Sequence, residues 1–163
     1  MSRLAFMSPD LCAAEVELVS PLRHIDRGCV IDDVSLLGKL EVRGDLPKFQ
    51  AGAGEELLPL GPGRVLVVVE GSPAEARERL LAAGYRVYDQ TAALAALEFE
   101  GLDLFGRLTE LDPGSLPAVG AIARGTTAII DRREGERFRI FVPQELGHYV
   151  AEVVLELAKG LER

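Results

Sequence analysis

The feature that most constrains the fold is Val65-Leu-Val-Val-Val69, five consecutive aliphatic residues between Gly63 and Gly71. A short, mostly β-branched run of this kind fits a strand covered on both faces. Ser72-Pro73-Ala74-Glu75 follows at once, with proline at a first helical position and serine and glutamate at capping-box spacing. The sequence predicts a helix from there to Ala83, braced by Glu75 and Arg79 at i, i+4 and stopped at Gly84. The chain must therefore build at least one covered sheet and lay a helix on it.

The surrounding sequence supplies the other elements. Leu40 and Val42 alternate with Lys39, Glu41 and Arg43, the period of a half-buried strand. Residues 45 to 63 are rich in proline and glycine and read as loop, with a short edge strand over Glu56 to Leu60. Tyr85 to Tyr88 predicts a strand, and Leu97 and Phe99 alternate with Glu98 and Glu100 in another. Leu104, Phe105, Leu108 and Leu111 form one stripe of a short helix over Leu102 to Leu111. Ala121 to Ile130 and Arg137 to Val142 read as a hairpin around Arg132 to Glu136. Leu146, Tyr149, Val150, Val153, Val154, Leu157 and Leu161 fall at helical spacing near the end. From residue 64 the order is β-α-β-β-α-β, then β-α. That order predicts an α+β fold, a ferredoxin-like plait with an antiparallel sheet and helices on one face. Val65, Val67, Val69, Leu97, Phe99, Leu108 and Ile140 are expected in one core. Residues 1–28 read as an N-terminal arm bearing Leu4, Phe6, Met7 and Leu11, and residues 29–163 as one domain.

Composition narrows the partners. Of 163 residues, 48% are hydrophobic and 27% charged, globular values that exclude a disordered chain. Lys and Arg total 18 against 26 Asp and Glu, a net charge of −8. An acidic surface repels phosphate, so nucleic acid and anionic membrane are not expected partners. The densest basic stretch, Arg132, Arg133, Arg137 and Arg139, is interleaved with Asp131, Glu134 and Glu136. Cys12 and Cys29 stand alone, without zinc spacing, and no metal site is expected. Met1 to Ala14 shows no continuous apolar stretch of the export kind, and no run is long enough to span a bilayer. The expected setting is the cytoplasm.

No motif for a particular chemistry stands out. Gly52-Ala-Gly54 with Gly61 and Gly63 lacks the lysine and hydroxyl residue of a phosphate loop. His24 with Asp26 sits in a predicted loop, and His148 lies on the last helix outside any zinc motif. Asp32 and Asp33 are adjacent on a strand, so their side chains point to opposite faces and form no dyad. Arg124, read within an otherwise apolar strand, is a candidate for an anion or partner contact.

Three stretches resemble one family. Asp33-Val-Ser35-Leu-Leu-Gly-Lys39-Leu-Glu-Val42-Arg-Gly44 resembles the D-x-S-x-x-x-K-x-x-V-x-G opening of glycine-cleavage T proteins and their relatives. Asp89-Gln-Thr91, followed by Leu97-Glu-Phe-Glu-Gly101, is similar to that family's next conserved stretch. Gly135-Glu-Arg-Phe138-Arg139-Ile140-Phe-Val-Pro143 is similar to its G-E-x-G-[FY]-E-[IL]-x-x-P strand. Pro117-Ala-Val-Gly120-Ala-Ile-Ala-Arg124 resembles a strand opening of the gamma subunit of heterotetrameric sarcosine oxidase, the relative this chain is most like in character. The resemblance spans about residues 28 to 160.

The resemblance implies a folate-binding fold in a non-catalytic subunit packed against larger flavoprotein subunits. Those subunits oxidise sarcosine and pass its one-carbon unit to tetrahydrofolate. It implies that this chain binds no cofactor itself, with tetrahydrofolate and flavin belonging to the complex. Two departures bear on this. The family's G-G-[IV]-[IL]-D-D stretch is matched by Gly52 to Gly63, which offers Glu55 and Glu56 without the motif. The family's folate-contacting glutamate is matched by Arg139. Two other readings stay open. One is a small aminomethyltransferase or folate-binding enzyme in which Asp33, Glu55 or Glu56 replaces the lost carboxylate. The other is a self-associating protein.

Overall fold

The computed structural model describes residues 18–26, 30–46 and 49–161, without the Arg124 side chain. Residues 1–17 and 27–28 of the expected arm, and both cysteines, lie outside the described residues.

The architecture is α+β with antiparallel sheets, as the patterning predicts, but the strands divide between two sheets. The elements are β1 (Asp32–Asp33), β2 (Gly38–Arg43), β3 (Glu55–Gly61), β4 (Arg64–Val69), α1 (Pro73–Ala82), β5 (Arg86–Asp89) and β6 (Leu94–Glu100). They continue with α2 (Leu102–Leu108), β7 (Ala118–Ile122), β8 (Thr126–Arg132), β9 (Arg137–Pro143) and α3 (Gly147–Lys159). One sheet has the order β3-β4-β2-β5 and the other β1-β6-β9-β8-β7. Every pairing is antiparallel.

The two sheets stack face to face, with helices on the outer face of each. Leu40, Val42, Val65, Val67 and Val69 point outward and pack on Ala76 and Leu80 of α1. Leu97, Phe99, Ile130, Phe138 and Ile140 pack on Leu104, Phe105 and Leu108 of α2 and on Val150 and Val154 of α3. Phe138 is stacked on Phe105 at 4.2 Å between ring centroids. Leu58, Leu66 and Val68 of one sheet meet Ala96 and Phe141 of the other. The residues expected in one core are all buried, but in two cores. Alternation shows which residues share a face without showing which layer covers it. Leu22 and Ile25, from the described segment 18–26, also pack against the α2–α3 core.

Local differences have physical reasons. The stretch from Ala121 to Ile130 is broken by a 3-10 turn, Ala123–Gly125, in which Gly125 takes φ +80°. β7 and β8 are thus a hairpin, and Arg124 lies in its turn rather than in a strand. Helix α1 begins at Pro73 as expected, but the Ser72 hydroxyl makes no capping bond. Arg79 pairs with Glu55 across the fold rather than with Glu75 along the helix. Helix α2 ends at Leu108.

Candidate functional site

The faces where the two sheets meet are only partly apolar. Lys39 and Glu41 read in sequence as the polar side of a half-buried strand. Both are buried, Lys39 completely. Arg139 is 2% exposed, although the alternation of β9 read by itself would turn it to solvent. Buried charges persist only when paired, so each points to its partners.

Arg139 sits on β9 between β6 and β8, opposite Glu98 and Asp131 in register. Its Nη2 donates to Asp131 Oδ2 at 2.7 Å and also to Glu56, which reaches across from β3 of the other sheet. Its guanidinium lies over Phe141, 5.1 Å from the ring centroid. Its Nε has no hydrogen-bond partner. Arg133 joins the cluster, with Nη1 2.5 Å from Glu56 Oε2. Arg137 Nε lies 2.8 Å from Glu98 Oε2, and the same guanidinium pairs with Asp32 on β1. Burial pushes the Glu56 carboxyl up, but hydrogen bonds from Arg139 and Arg133 outweigh it and hold its pKa below the usual value. Burial draws the Arg133 pKa down, and the Glu56 hydrogen bond and neighbouring carboxylates more than restore it. Arg133, Arg137 and Arg139 of the basic stretch are thus engaged with carboxylates rather than presented as a basic face.

The other motif residues meet around the turn between β1 and β2. Ser35 Oγ donates to Ala96 O and accepts from Ala96 N, both at 3.0 Å, tying the β1–β2 turn to β6. Asp33 accepts from Ser35 N at 3.0 Å and from Ser20 Oγ at 2.5 Å. Lys39 Nζ donates to Ser35 O at 2.6 Å, and Lys39 N donates to Thr91 Oγ1 at 3.1 Å. Asp89 Oδ1 accepts from Thr91 N at 2.8 Å. The D-x-S-x-x-x-K and D-x-T residues therefore build a joint between β1, β2, β5 and β6. Most of these bonds run from a side chain to the chain's own backbone.

The candidate residues fall in four places. Glu55 and Glu56 are neighbours on β3 and point to opposite faces. Glu55 accepts from Gly52 N at 2.7 Å and pairs with Arg79 at 2.5 Å, on the α1 side. Glu56 and Arg139 are brought together in the seam, and Asp33 lies in the Ser35 joint. The Arg124 turn borders an open groove lined by Arg107, Thr109, Leu111, Ala121 and Gly125. His24 Nε2 accepts from Arg23 Nε at 2.7 Å. His24, Asp26, His148 and Glu152 line one shallow groove. Among the described residues no group of three or more His, Cys, Asp or Glu could hold a metal ion. Nor is any described helix long and apolar enough to cross a membrane.

Sequence reasoning missed Lys39, Glu98 and Asp131 as members of the seam. The available signal was the alternation of charge with apolar residues on strands from both halves of the chain. The resemblance places a folate-contacting carboxylate where Arg139 stands. A guanidinium offers only donors, and this one already holds Glu56 and Asp131. The residues present do not fit that carboxylate role.

No family model matches the sequence, and no curated protein does. Solved structures do match. A chain of the heterotetrameric sarcosine oxidase from Corynebacterium sp. U-96, in complex with pyrrole 2-carboxylate, is similar with a TM-score of 0.74 at 17% identity. The match covers 90% of this chain and 97% of that one. A chain of E. coli aspartokinase III, with lysine and aspartate, gives a TM-score of 0.42 at 14% identity. The first match extends over almost the whole of both chains, and this protein therefore has the fold of that sarcosine oxidase chain.

Proposed function

We propose that this chain is a non-catalytic accessory subunit, of the sarcosine oxidase gamma kind, that works by packing against larger flavoprotein chains. Those chains demethylate sarcosine-type amines, and the one-carbon unit passes to tetrahydrofolate within the complex. The observation that carries this reading is the end-to-end fold match to a chain that resides in a heterotetrameric oxidase.

The chemistry of the seam supports the same reading. An aminomethyltransferase needs a carboxylate toward the pterin, and the resemblance places Arg139 there. The other acidic candidates are committed elsewhere. Glu55 holds Gly52 and Arg79, Glu56 holds two arginines, and Asp33 holds Ser35 and Ser20. In this reading the chain contributes surface and rigidity, and flavin and tetrahydrofolate belong to the partner chains.

The test is co-expression with the large chains of a sarcosine-oxidising flavoprotein, followed by size exclusion with light scattering. Comigration at the mass of a hetero-oligomer is expected. Elution of the chain alone, as monomer or homodimer, at concentrations where the flavoprotein is intact would overturn the proposal.

A further inference from the structure

The Ser35 joint contains one group whose environment conflicts with its charge. Lys39 Nζ is fully buried and donates to Ser35 O. An ammonium has three protons to donate and is strongly hydrated in water. The charged groups that act on it are Asp89 from β5 and Asp33 from β1, while Glu41, two residues along the same strand, is held by Arg43 and Arg64. Hydrogen bonds run outward from it in series. Lys39 holds Ser35, Asp33 holds both Ser35 and Ser20, and Ser20 Oγ accepts from Leu22 N at 3.0 Å. Leu22 is a buried anchor of segment 18–26 in the α2–α3 core.

We propose that the turn Val34–Leu37 and the segment Ser20–Leu22 form a latch over Lys39, which opens to hydrate the ammonium and closes more tightly as the proton leaves. The closed form holds the charged amine out of water, so it binds the proton less tightly than the open form. Burial lowers the Lys39 pKa to about 8 from 10.5, against the attraction of Asp89 and Asp33. By linkage, opening is easiest below pH 8. Between that value and the ordinary lysine range the opening constant falls by up to about tenfold per pH unit.

Amide hydrogen exchange of the full chain, corrected for intrinsic chemical rates, tests this across pH 7 to 10. Protection of the Leu22, Ser35 and Leu37 amides should stay flat to about pH 8 and then rise by up to about tenfold per unit. It should remain below the protection of the Val67 amide in β4, which reports global unfolding. The same amides in Lys39→Met should show no rise. Flat protection above pH 8 in the wild type would overturn the proposal, as would an equal rise in Lys39→Met. Latch amides that exchange only together with Val67 would overturn it too. If Lys39→Met does not fold, a carbon-13 titration of Lys39 Cε in the wild type serves instead. A midpoint near 8, together with a rise in protection of the three amides above that pH, supports the latch, and a midpoint above 10 overturns it.

Discussion

Replacing Arg139 by methionine removes the centre of the seam while keeping a stem of similar length. Arg139 is 2% exposed and is the nearest cation to Asp131, whose side chain is 9% exposed. Arg133 Nη1 stands 3.7 Å from the same carboxylate and replaces it only weakly. Breaking a buried pair by removing one partner costs about 3 to 5 kcal/mol, because the other charge stays buried. Glu56 is 30% exposed and keeps Arg133 at 2.5 Å, so the loss falls mainly on Asp131. The lower end, about 3 kcal/mol, is expected. For a domain of this size that is a fall of about 6 to 12 °C in Tm. Urea unfolding and calorimetry at pH 7 read it directly. Adding Asp131→Asn should recover part of the loss, since the orphaned charge is then gone. A single variant within about 0.5 kcal/mol of wild type, the range of neutral surface changes, would refute the claim that Arg139 is the partner that makes the burial of Asp131 tolerable.

Further variants probe the other layers. Val67→Asp puts a lone carboxylate between β4 and α1, where Val67 is 0% exposed, and should abolish cooperative unfolding in circular dichroism. Gly147→Ala should lower stability by about 1 to 3 kcal/mol in urea, because an added Cβ would meet Ala95 Cβ at 2.6 Å. Ser35→Ala loses both bonds to Ala96 in the buried joint and should cost about 1 to 3 kcal/mol by the same assay. The folded Glu56 pKa lies below its unfolded value, so its contribution is present above pH 4.5 and fades as pH falls through the folded value. Glu56→Gln should therefore differ most from wild type near neutrality and converge with it in acid melts.

The sequence made some elements legible and concealed others. β4 and α1 were readable because a five-residue aliphatic run, Pro73 and Gly84 each have one dominant structural use. Gly84 indeed takes φ +87° at the helix end. The break at Ala123–Gly125 was concealed because Ala121 and Ile122 before it and Ala128 to Ile130 after it read as one strand. The division into two sheets was concealed for a deeper reason. Lys39, Glu41, Glu56, Glu98 and Arg139 look like a solvent-facing set when each strand is read alone. Specific partners make their burial tolerable: Arg43 and Arg64 hold Glu41, Arg137 holds Glu98, Ser35 O takes Lys39, and Glu56 meets Arg139 across the two sheets. The resemblance located the right segments, since Asp33, Ser35, Lys39, Asp89 and Thr91 do converge. Their convergence is a backbone joint, and the position that would distinguish a folate site carries the opposite charge.

In the proposed function the charged seam is structural and folate is left to the partner chains. Calorimetric titration of the isolated chain with tetrahydrofolate at pH 7 tests it most directly. No saturable heat is expected up to millimolar ligand, in the wild type and in Arg139→Met alike. A one-to-one isotherm with micromolar Kd in the wild type would contradict it.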